Sequence, residues 1–196
     1  MTLTELQNEV YIITNRPDLV ARTQSAIRAA TLMLHQRDFY YKDLFETGVA
    51  FSAAANLQQL EYRTLIPNWR TLKYIRKSDV TGTDQGKFLE VVTPDNVLDS
   101  YGLNRNDVVY ATGDVLQIRS STLLKYIFLG CYVNPLITPS LYSSWIAIDH
   151  PFAIIYEAAS QIFKQIGKQE EWQAYKIIAA DQANLIGTTN IQAVGY

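Results

Sequence analysis

Cysteine and histidine are nearly missing from this sequence, with one Cys and two His among 196 residues. A lone Cys131 can close no internal disulfide, so the fold does not depend on an oxidising compartment. Long apolar runs are missing too. Nothing approaches the roughly eighteen residues that a membrane span needs, and the start lacks the basic, apolar and small-residue pattern of a secretory leader. The chain reads as one made and folded in a reducing cytoplasm, with no membrane partner. Charge of one sign is equally scarce. The 17 Lys and Arg and 19 Asp and Glu leave a net charge of −2, without the basic block of a tight nucleic-acid binder or an acidic tail.

The common catalytic signatures are missing as well. The chain has no GxSxG, HExxH, CxxC or GxGxxG. Gly82 to Lys87 is one residue short of a phosphate loop, and Phe88 stands where Ser or Thr would hold magnesium. Asp79 to Glu90 has the length of a calcium loop, but Asp84 replaces the glycine of its sharp turn, and Thr81 and Thr83 replace acidic ligands. His35 falls at a helix end, where a cation complements the dipole. Asp149 and His150 are neighbours at a helix start, where Asp149 has a capping role. Cys131 sits in an apolar strand and reads as an inert thiol. These residues predict neither an enzyme nor a cofactor or metal site.

Helix signals occupy both ends. Thr2 and Glu5 are spaced as a capping box ahead of Leu3, Leu6, Val10 and Ile13. Asn15-Arg16-Pro17 breaks that helix, and a second runs from Asp18 to about Gln36. Near the other end, Asp149-His150-Pro151 opens a helix with Phe152, Ile155, Ala159, Ile162 and Phe163 on one face, stopped by Gly167. Another follows from Glu170, with Gly187 as its expected stop. Between the ends, Tyr, Val, Ile and Thr alternate in short runs. Strands are predicted at Gly48–Ala53, Glu61–Leu65, Thr71–Arg76, Phe88–Val92, Val108–Ala111, Val115–Arg119 and Leu124–Tyr132, with a hairpin turn at Thr112-Gly113-Asp114.

This order predicts an α+β fold, a helical bundle formed by N- and C-terminal helices with a large β-rich insertion between them. The expected parts of this single domain are helices at 1–37, the β-rich insertion at 38–139, helices at 140–187 and a patternless tail at 188–196. Ile191, Val194 and Tyr196 on that tail are too few to bury themselves and suit a partner's groove or sheet edge. Two surfaces compete with them. Trp69, Tyr74 and Tyr101 could stack on sugar rings, although filling the space under the sheet is the plainer role. Arg63, Arg70, Lys73, Arg76 and Lys77 form the densest basic cluster, yet strand alternation spreads them over both faces, and subunit salt bridges suit them better than DNA reading.

Several motifs in sequence order resemble the head-to-tail adaptor, or head-completion, proteins of tailed bacteriophage necks. They are Asn15-Arg16-Pro17-Asp18-Leu19 before the second helix, Ile66-Pro67-Asn68-Trp69-Arg70 at a strand opening, Tyr110 to Ile118 around its glycine turn, Leu129 to Pro135, and Tyr142-Ser143-Ser144-Trp145-Ile146 before a helix. Ile66 stands where Leu is usual. The resemblance implies a structural virion protein synthesised in the host cytoplasm and built into the virion neck. Its partners would be a homo-oligomeric ring of roughly twelve copies, the portal protein above, a tail or nozzle protein below, and passing DNA in transient contact. The C-terminal segment with Ile191, Val194 and Tyr196 would be the portal-docking tail. Another neck or tail-completion protein, or a carbohydrate-binding module, is the alternative.

Overall fold

Thr2 and Glu5 form the capping box that their spacing predicts. The Thr2 amide donates to the Glu5 carboxylate at 2.7 Å, and the Glu5 amide donates to Thr2 Oγ1 at 3.3 Å. Helix α1 (Leu3–Thr14) follows and ends at Asn15, whose φ of 53° lies in the left-handed region. Helix α2 spans Val20–Gln36, two residues later than expected, because Arg16 to Leu19 form a turn in which Arg16 holds the Asp18 carboxylate at 2.8 Å and the Leu19 amide donates to the Arg16 carbonyl. The computed structural model describes residues 1–78, 86–138 and 141–194, and the candidate phosphate and calcium loops fall largely outside them. The described chain is mixed α and β, and it divides into two compact units, 1–43 with 134–196 and 44–133.

The first unit is mainly helical. After the two-residue strands β6 (Leu136–Ile137) and β7 (Tyr142–Ser143) come α4 (Ile146–Asp149), α5 (Pro151–Gln165) and α6 (Gln169–Val194). Leu6 and Val10 of α1, Ile27 and Ala30 of α2, Ile154, Ala158 and Ile162 of α5, and Ala183 and Ile186 of α6 share one apolar core. Both chain ends therefore contribute to one interior, where each large aliphatic side chain stabilises by about 2 kcal/mol. Gly167 ends α5 with φ 79°. Its amide donates to the Lys164 carbonyl and that of Lys168 to the Phe163 carbonyl, which satisfies the last turn.

Two expectations about this unit fail. Asp149 does not cap α5, whose cap position is His150 with no side-chain bond. Asp149 instead lies in α4 and accepts from Lys42 Nζ at 2.6 Å. Gly187 does not end α6 either. The hydroxyls of Thr188 and Thr189 donate to the Asn184 and Leu185 carbonyls one turn back, and Asn190 accepts the Tyr41 amide at 3.0 Å. Those contacts offset the modest cost of a glycine inside a helix.

The second unit is a sheet of β1 (Leu44–Glu61), β2 (Trp69–Ser78), β3 (Phe88–Val91), β4 (Val108–Thr112) and β5 (Val115–Val133). The first half of β5 pairs with β4 and its second half with β2, while β3 pairs with both β2 and β4. This ring of pairings closes a small barrel around Ile75, Leu89, Val109, Ile118, Leu124, Ile127 and Leu129. Strand β1 follows the other edge of β5 from Glu61 opposite Val115 to Leu44 opposite Tyr132. The two-residue turn Gly113-Asp114 joins β4 to β5 as predicted, with Gly113 at φ 60°. The segment Glu61–Leu65 is not a strand. Beyond the end of β1, Tyr62–Leu65 forms the short helix α3, where the Tyr62 ring packs at a tilt against Trp69 and its hydroxyl donates to the Gly113 carbonyl at 3.0 Å.

Asp107 clasps this barrel where β5 changes partner from β4 to β2. It accepts from Lys77 Nζ at 2.7 Å, from the Ser121 amide at 3.0 Å and from Ser121 Oγ at 2.9 Å. Burial alone would raise its pKa, but the bonds from Lys77 and Ser121 prevail and bring it down to about 2. The sign follows from linkage. The unfolded carboxyl takes its proton near the ordinary 3.8, whereas the folded one waits until about 2. Its stabilisation is thus full above roughly pH 4 and lost as pH falls toward 2. With its side chain 35% exposed, solvent screening reduces this to about 1 kcal/mol. Urea melts should find Asp107→Asn weaker than wild type by that amount at pH 6, with little difference left at pH 2. An equal deficit at both values would show that the ion pair is not the cause.

Candidate assembly interface

The register of the sheet brings one cluster together on its outer face. Glu46, Gly130 and Tyr74 lie in one cross-strand row, and Gly48, Phe128, Arg76 and Phe88 in the next. Arg76 donates to both Glu46 carboxylate oxygens at 2.9 and 3.0 Å, and the Tyr74 hydroxyl donates to the same carboxylate. The guanidinium lies over the Tyr74, Phe88 and Phe128 rings at 5.4 to 5.8 Å. Phe88 is 64% exposed. Aromatic rings around an arginine, with one edge in solvent, suit the anchor of a protein interface.

Glycine makes this packing possible. A Cβ on Gly130 would run into the Tyr74 ring, and one on Gly48 into the Tyr126 hydroxyl. Only the missing side chains let the two rings lie flat on the strands.

Beside this cluster, β1 presents a long open edge. Among the described residues no strand pairs with its far side. The edge from Leu44 to Ala55 contains neither Lys nor Pro, the residues that usually blunt such an edge. Leu44, Phe45 and Leu57 are exposed along it.

The residues singled out from sequence are distributed differently. Ile191 and Val194 belong to α6 rather than to a patternless tail, and Tyr196 lies outside the described residues. The proposed sugar platform is not assembled. Trp69 is buried against Tyr62, Tyr74 carries the Arg76 cluster, and Tyr101 is exposed on the turn after β3. Three residues of the basic cluster make ion pairs within the chain. Arg63 pairs with Asp114, Arg76 with Glu46 and Lys77 with Asp107. Lys73 lies over the Tyr132 ring at 5.9 Å. Burial raises the Cys131 thiol to about 11, which keeps it protonated and inert.

His35 differs most from its expected role. It does not sit at a solvated helix end, because Nδ1 lies 2.9 Å from the Asp43 carboxylate and Nε2 2.9 Å from Ser144 Oγ. Trp145 Nε1 donates to the same carboxylate at 2.7 Å. Nδ1–H donates to Asp43, so in the neutral ring Nε2 accepts the Ser144 hydroxyl, whose oxygen accepts the Ala147 amide at 3.3 Å. The spacing imitates a nucleophile, base and orienter. Its surroundings do not, since Asp43, His35 and Ser144 are 4%, 1% and 7% exposed. The adjoining cavity beside Trp145 and His150 measures about 20 Å³, room for one water and no substrate. The trio clamps α2, the residue preceding β1 and the entry to α4 into one unit.

Among the described residues, no cluster of three His, Cys, Asp or Glu is placed to hold a metal, and no helix is long and apolar enough to cross a membrane. The chain matches no protein-family model and no curated protein.

Proposed function

We propose that this protein is a structural component of a tailed-phage neck, a head-to-tail adaptor that forms a ring of roughly twelve copies under the portal. In this reading the ring extends the DNA channel and carries the tail or nozzle, and the chain catalyses no reaction. The carrying observation is that helices from both ends of the chain share one core while Leu44–Val133 forms its own β unit. That is the arrangement implied by the motif order, with the terminal helices read as a bundle and the barrel as its insertion. The near-neutral charge also supports it, because a strongly basic channel would hold sliding DNA through its phosphates.

The portal-docking element in this reading is the end of α6 with the residues beyond it, including Ile191, Val194 and Tyr196. Co-sedimentation with portal rings from the same source tests the role. The full chain should pellet with the portal, and a chain lacking residues 191–196 should keep its fold and lose most of that binding. Undiminished binding by the shortened chain would move the docking surface elsewhere. No binding by either chain would remove the adaptor reading.

A further inference from the structure

We propose that neighbouring subunits of this ring join through α6, its outer apolar stripe lying in the groove between α2 and α6 of the next copy. The inference rests on the ring reading and specifies its contact. Helix α6 carries apolar residues on opposite sides. Ala183 and Ile186 face the core, whereas Ile177, Ile178 and Leu185 on the far side are 65%, 40% and 54% exposed. A helix that is apolar all round is ordinarily buried, and its own chain covers one side of this one. The groove belongs to the same helical unit. Helices α2 and α6 both pack against α5. Between them opens a groove of about 750 Å³, lined by Ala29, Leu32 and Met33 of α2 and Ala179, Ala180 and Ala183 of α6. Ala29, Leu32 and Met33 fall on one helix face by their spacing. At the helical rise the stripe from Ile177 to Leu185 is about 12 Å long, and the α2 wall from Ala29 to Arg37 matches it.

Unspent charges choose the occupant. Lys176 in the groove is committed to the buried Glu157 carboxylate at 2.8 Å. Arg37, two turns further along α6, is not. Its guanidinium donates to the neutral side chain of Asn184 at 2.7 Å and has no carboxylate partner among the described residues. Asp181 stands exposed at the middle of the outer stripe and has no cation partner among the described residues. A neighbour's stripe laid in the groove brings Asp181 to Arg37, an opposite-charge contact at the rim of an apolar seam. Two stripes packed on each other about a two-fold axis would instead set Asp181 against Asp181 at the centre. Stripe and groove are different surfaces, so their contact is heterologous and repeats head to tail until it closes a ring.

Charge exchange tests the pairing. Asp181→Arg and Arg37→Asp, each alone, should weaken ring formation on portal rings roughly tenfold or more, and the double exchange should restore most of it. A double exchange as defective as either single one would overturn the proposal. Crosslinking tests the same seam without changing its charges, since the native Cys131 is buried. Chains carrying Ala29→Cys or Met33→Cys together with Ile178→Cys or Leu185→Cys would be oxidised in the presence of portal rings. At least one pairing should bring the sulfurs within disulfide reach and give a ladder of covalent multimers on a non-reducing gel, while the single-cysteine chains should not. Covalent dimers from Ile178→Cys or Leu185→Cys alone would overturn the proposal in favour of two α6 stripes meeting. Rings visible by electron microscopy without any ladder, and unaffected by the single exchanges, would overturn this contact and leave the adaptor reading standing. Monomers that ignore the portal would overturn both.

Discussion

Asp43→Ala will make the helical unit unfold on the order of 10 °C below the wild-type chain. The carboxylate is 4% exposed and accepts from both His35 Nδ1 and Trp145 Nε1. Removing it leaves two buried donors without an acceptor, at about 1–3 kcal/mol each. His35→Ala should cost somewhat less, because Trp145 still serves the carboxylate. Ser144→Ala should cost about 1 kcal/mol, since it deletes one neutral bond and the one accepted from Ala147. Circular dichroism melts of the three variants should therefore fall in that order, with Ser144→Ala nearest to wild type. If Ser144→Ala instead abolished an esterase or protease activity while melting normally, the trio would be a catalytic centre and the adaptor reading would fail.

Gly130→Ala should destabilise the β unit by about 2–3 kcal/mol, because overpacking a filled site is as damaging as emptying one. The new Cβ would meet three atoms of the Tyr74 ring, on a strand paired at both edges. Lifting that ring would break its bond to Glu46 and disturb the Arg76 stack. The cause can be isolated. In the Tyr74→Ala background the same change should cost less than about 1 kcal/mol, so the double-mutant cycle should show strong coupling. Additive costs in chemical denaturation would mean that Gly130 serves the backbone and not the ring.

What the sequence made legible was local. Thr2 and Glu5 announced the start of α1, Gly113 the hairpin and Gly167 the stop of α5, because each acts within a few residues. The long strands were harder to read. Ser120-Ser121-Thr122 resembles a turn, yet β5 runs through it, since Asp107 accepts the Ser121 amide and hydroxyl while the strand changes partners. Gly187 misled for the opposite reason. Its punctuation was overridden by Ile186 in the core and by Asn190 bonded to Tyr41, a partner 149 positions away. The His35 trio left no local pattern at all, with Asp43 eight and Ser144 109 positions distant. The aromatic cluster was half legible. Tyr74 and Arg76 were picked out singly, but Glu46 and the glycines beneath the rings become meaningful only once the register is known.

Native mass spectrometry of the chain mixed with its portal ring tests the central claim most directly. The account predicts a single complex whose mass exceeds that of the portal ring by roughly twelve chains, with few partial occupancies. A portal ring of unchanged mass beside free monomer would contradict it.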